Sequence, residues 1–188
     1  MHTPHPGHPG STSVDPEVDK ILTEARNALD RYDLQRAHEC VDRAMEQAPD
    51  HWETYHLKGI IAARQQSWNE AEQCFQRAHQ LNPTHPGPLT NLGNLRCEKG
   101  QYDEAISFYE QALAFDPDYP NAHHNIAVAL RRIGRLDESV RHLKRAQRLE
   151  ARMPKSRRAG GPGGGPMSAG WLLLIGALAM AAAVLWLR

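Results

Sequence analysis

The chain has 188 residues, with 22 Lys and Arg balancing 22 Asp and Glu, and a mean hydropathy of −0.62. That length holds one modest domain with extensions, and the balanced sum excludes a uniformly basic or acidic polymer binder. Three cysteines, Cys40, Cys74 and Cys97, cannot all pair and lack metal-ligand spacing, which excludes a disulfide scaffold and points to buried or half-buried thiols in a reducing compartment.

Residues 1–17 open with a run rich in His, Pro and Gly that cannot bury a core, so a disordered tail is expected. His2, His5 and His8 stand three apart and could hold a divalent ion weakly, but a tail without ligand duty is the favoured reading, and no cofactor or metal is expected. His123 and His124 are adjacent on a helix, point apart and do not make a shared site.

Residues 18–153 repeat every 34 residues without an insertion, in units 18–51, 52–85, 86–119 and 120–153. Small residues align at Ala25, Gly59, Gly93 and Ala127, at Ala37, Ala71, Ala105 and Ser139, and at Ala44, Ala78, Ala112 and Ala146. Large apolar residues align at Leu34, Trp68, Tyr102 and Leu136 and at Val41, Phe75, Tyr109 and Leu143. Pro49, Pro83 and Pro117 close three units, and Ala151 takes that place in the fourth. Each unit reads as two amphipathic helices joined by a short turn, such as Lys99-Gly100-Gln101, with acids such as Asp103-Glu104 opening the second helix. No pair can bury its apolar face alone, so the units must stack. Lacking a proline, the last helix is expected to run to Met153, with Leu136, Val140, Leu143, Ala146 and Met153 on one face of a solvating cap.

The pattern resembles the tetratricopeptide repeat, whose signature includes the Leu92-Gly93, Tyr102, Ala105, Tyr109, Ala112 and Pro117 of the third unit. The resemblance implies an all-α, right-handed helix-turn-helix solenoid of four repeats. It also implies a concave groove, lined by first helices, that binds a protein or peptide. By register the groove residues are Arg26, His56, Arg64, Asn91, Asn94, Asn125, Arg131 and Arg132, with Leu29, Ile60 and Val128 between them. Asn91 and Asn125, one period apart, would stack as a ladder able to bond an extended peptide backbone. The family's lysine clamp for a terminal carboxylate is not spelled here, since Thr90 stands where its first lysine belongs.

Residues 154–166 are a basic Gly/Pro linker, and residues 167–187 are 21 consecutive uncharged residues, about 31 Å as a helix, flanked by Trp171 and Trp186. A C-terminal transmembrane helix is therefore expected, a tail anchor with the repeats facing the cytoplasm because Lys155, Arg157 and Arg158 precede it and only Arg188 follows. A bacterial inner membrane is favoured, with a mitochondrial outer membrane as the alternative. Residues 120–153 carry a net +5, which with those three bases would lie near anionic lipid. The patch has no aromatic platform, so no nucleic acid is expected. No catalytic constellation is present, and an enzyme is not expected. The sequence thus reads as a membrane-tethered interaction adaptor, with a self-assembling scaffold, a homo-oligomer, or an accessory subunit of a membrane enzyme or export complex as alternatives.

Overall fold

The computed structural model describes residues 15–152, which form eight α-helices and, among the described residues, no strand. In chain order these are α1 (Pro16–Asp30), α2 (Leu34–Gln47), α3 (Trp52–Arg64), α4 (Trp68–Leu81), α5 (Pro86–Glu98), α6 (Tyr102–Phe115), α7 (Pro120–Arg132) and α8 (Leu136–Arg152). The N-terminal tail through residue 14, Met153, the linker with Lys155, Arg157 and Arg158, and the apolar run 167–187 lie outside the described residues. No described helix is long and apolar enough to cross a membrane.

Local chemistry sets the helix ends. Pro16, Pro86 and Pro120 begin α1, α5 and α7, where the missing N–H would lack an intrahelical partner anyway. The Asp15 and Asp33 carboxylates accept from the Glu17 and Arg36 N–H groups at 3.0 Å and cap α1 and α2. The turn inside every unit is one motif repeated four times. Tyr32, Gln66, Gly100 and Gly134 all have positive φ, between 60° and 81°. The N–H that follows each one returns 2.9 Å to a carbonyl of the preceding helix, from Asp33, Ser67, Gln101 and Arg135 to Ala28, Ala62, Arg96 and Leu130. The second helices stop differently: Ala48, Asn82 and Asp116, each just before a proline, have ψ of 75°, 83° and 94°, well off the helical value. The α8 helix meets Ala151 instead of a proline and runs 17 residues where α2, α4 and α6 have 14.

The two helices of each unit pack on each other, and each second helix packs on the next unit's first. The alanine columns make this close approach possible: Ala37, Ala44, Ala71, Ala78, Ala105 and Ala112 are fully buried. First helices also touch one another, α1 with α3, α3 with α5 and α5 with α7, whereas second helices do not pack together in that way. Closer first helices and splayed second helices bend the row, with the first helices inside.

The expected α8 face is corrected in part. Ser139, Ala146 and Leu149 are its buried residues, while Leu136, Val140 and Leu143 are 59%, 49% and 38% exposed. In the three earlier units the Leu143 place is held by Val41, Phe75 and Tyr109, each at most 2% exposed, because a following first helix covers it. No described element covers α8 on that side.

Candidate ligand-binding groove

The sequence-predicted groove residues all lie on the inner row of first helices, and most of them bond across unit boundaries. Between α1 and α3, the Arg26 guanidinium donates to the Glu53 carboxylate and, 2.7 Å away, to the Thr23 hydroxyl. Arg64 reaches back to the Leu29 carbonyl and lies over the Tyr32 ring, 4.9 Å from its centroid. Between α3 and α5, the Asn91 amide donates to His56 Nε2 at 2.7 Å. Between α5 and α7, the Asn125 amide donates to the Asn94 carbonyl at 2.8 Å.

Asn91 and Asn125 do not stack on each other. Asn94 stands between them, donating to Asn91 at 3.3 Å and accepting from both Asn125 and the Tyr109 hydroxyl, each at 2.8 Å. A polar chain His56–Asn91–Asn94–Asn125 thus runs through three units. His56, Asn91 and Asn125 are 8%, 4% and 8% exposed, so these groups serve the fold first. Buried polar groups are bonded in this way because leaving one unpaired costs about 1–3 kcal/mol.

Arg131 and Arg132 differ. Both are exposed at the end of α7, and neither makes an ion pair among the described residues. They are the charged groups of the predicted set with capacity left for a ligand. Thr90, at the place of the missing lysine, is fully buried and donates to the Pro86 carbonyl at 2.9 Å.

Sequence reasoning missed a ring cluster at the start of α3. Trp52 stacks on His56 with centroids 5.8 Å apart and lies 4.2 Å from His85. His85 Nδ1 accepts the Gly87 N–H at 3.1 Å and caps α5. Burial, aided by His85, pushes the His56 pKa down to about 3, so its imidazole is neutral and its Nε2 is free to accept from Asn91. Burial also lowers the His85 pKa. The i, i+4 spacing of Trp52 and His56 was the available signal; His85, which caps α5, approaches only because α5 packs back on α3.

The thiols are free. Cys40 and Cys74 are buried and Cys97 is half-buried, and burial raises the pKa of all three. Among the described residues no three His, Cys, Asp or Glu side chains form a metal-ligand group.

Comparison with known proteins agrees with this architecture. Four family profiles match: "TPR repeat" at residues 93–134 and "Tetratricopeptide repeat" at residues 52–85, 74–107 and 120–152. No curated protein sequence matches significantly. Among solved structures, the crystal structure of MamA is similar at a TM-score of 0.58 and 25% identity, over 74% of this chain and 82% of that one. An O-GlcNAc transferase from Thermobaculum terrenum is 30% identical at a TM-score of 0.57, over 60% of this chain and 22% of the enzyme. Pseudomonas aeruginosa pilF shares the fold alone, at a TM-score of 0.64 and 17% identity, over 73% of this chain and 63% of that one.

Proposed function

Because the chain carries tetratricopeptide repeats, we propose that it is an interaction scaffold, without chemistry of its own, that holds a protein or peptide along its inner row of first helices. The observation that carries this reading is the line of side chains from Arg26 to Arg132. Its middle is rigidly cross-bonded, and its end offers two unneutralised arginines. A rigid polar floor costs little ordering entropy on binding, and Arg131 and Arg132 favour a ligand with acidic side chains or an anionic end at that position. Residues 167–187, with Lys155, Arg157 and Arg158 before them, would hold this scaffold at a membrane with the repeats on the cytoplasmic side, in a bacterial inner membrane or, alternatively, a mitochondrial outer membrane.

The test follows from which residues are free. Replacing Asn91 or Asn125 would confound binding with folding, so the variant to use is Arg131→Glu with Arg132→Glu in the full chain. A partner captured by the parent and lost by this variant, with unchanged helicity and melting, supports groove recognition. Equal capture by both sinks it. The exposed Leu136, Val140 and Leu143 stripe favours a second reading, a scaffold that assembles through the open side of α8. Sedimentation of the full chain against Leu143→Lys would show a concentration-dependent assembly that the variant abolishes.

A further inference from the structure

Where α7 packs on α8, two imidazoles face each other. His123 Nε2 lies 3.0 Å from the Pro117 carbonyl oxygen. A carbonyl can only accept, so this nitrogen carries the hydrogen and His123 Nδ1 is left as a bare lone pair. That lone pair lies 3.1 Å from His142 Nδ1, with ring centroids 5.2 Å apart. Without an ion, the His142 Nδ1–H donates into it. If His142 carries its hydrogen on Nε2 instead, the two Nδ1 atoms present their lone pairs 3.1 Å apart.

Their separation suits a chelate. Two imidazole nitrogens bound at about 2.0–2.1 Å stand about 3.3 Å apart on a tetrahedral ion and about 2.9 Å apart at neighbouring corners of a square plane. The observed 3.1 Å falls between. The Pro117 carbonyl is the kind of outer acceptor that metal-bound imidazoles keep, fixing tautomer and ring orientation. Both rings are half-buried, so water can reach the remaining coordination positions. Burial first, and then the facing His123, lower the His142 pKa, and the Glu110 and Glu138 carboxylates only partly oppose them. Arg135 holds Glu138 through two bonds of 2.6 Å, so the two imidazoles are the protein's share of the site and water takes the remaining positions.

We propose that His123 and His142 bind one divalent transition-metal ion of the zinc, nickel or copper class, clipping α7 to α8. Bare ions are the probe: Zn²⁺ and Cu²⁺ titrated calorimetrically into the full chain carrying His2→Ala, His5→Ala and His8→Ala, which removes competition from the tail. The expected result is one equivalent bound, at least tenfold weaker after His142→Gln and after His123→Gln, and unchanged after His124→Ala. Zinc should raise the melting temperature of the parent and not of the His142→Gln variant, while the two melt alike in chelator. Absence of a one-equivalent site in the parent overturns the proposal. So does binding as tight as the parent's in either glutamine variant, or loss of binding in His124→Ala.

Discussion

At the scale of single residues, burial decides what His56 does. Its folded pKa of about 3 lies below the ordinary value of 6.5, so the unfolded chain takes up a proton first as pH falls. Stability from this group is therefore complete above about pH 6.5 and is lost progressively toward pH 3. At about pH 5 the loss amounts to about 2 kcal/mol. The depressed His85 adds in the same direction. Urea unfolding near neutrality and near pH 5 should show this drop, and His56→Gln should be less stable at neutrality but flatter with pH. Packing is equally local at the glycine column. A Cβ on Gly59 would stand 2.5 Å from Phe75 Cε1, and Gly93 lies against Tyr109 in the same way. Units with alanine there, at 25 and 127, carry the smaller Val41 and Leu143 opposite. Gly59→Ala should cost about 1–3 kcal/mol, and Phe75→Leu added to it should recover part of that loss in a double-mutant cycle.

At the scale of elements, the turn between paired helices is the clearest repeated device. All four units use a left-handed residue at the same place, yet only the third and fourth supply glycine. Nothing lies within 4 Å of a Cβ built on Gly100 or Gly134, so the difference is a matter of backbone strain alone. A side chain in the left-handed region costs about 1–2 kcal/mol, partly offset by the freedom that glycine gives the unfolded chain. Gln66→Gly should therefore stabilise by up to about 1 kcal/mol and Gly100→Gln should destabilise by a similar amount, both read from denaturation midpoints. Tyr32 is a poorer test, because its ring also meets Arg64.

At the scale of the whole molecule, stability passes from unit to unit through apolar packing and through the polar chain on the inner side. Asn94 is its junction, bonded to Asn91, Asn125 and Tyr109. Asn94→Ala leaves three polar groups short of a partner and should cost more than Asn125→Ala, on the order of 2–3 kcal/mol. Hydrogen exchange would report it as lost protection on both sides of the α5–α7 boundary. An effect confined to α7 would show that the units couple through apolar contacts alone.

The 34-residue period, the helix pairs, the proline stops and the small-residue columns were legible in the sequence, because each follows from propensity, pattern and capping within a few tens of residues. The candidate groove positions came instead from the resemblance to the tetratricopeptide repeat, mapped onto each unit by register. Which of those residues are free was decided only by tertiary structure. Asn94 bonds to Asn125, His56 to Asn91 and Arg26 to Glu53 because stacking brings consecutive first helices together, and a list of positions holds no such distances. The exposed stripe on α8 has the same origin: identical spacing is buried or bare according to whether another helix covers it. Sequence determines which units form and how each one turns, through local interactions; tertiary contacts determine which polar groups are consumed by the fold and which remain for a ligand.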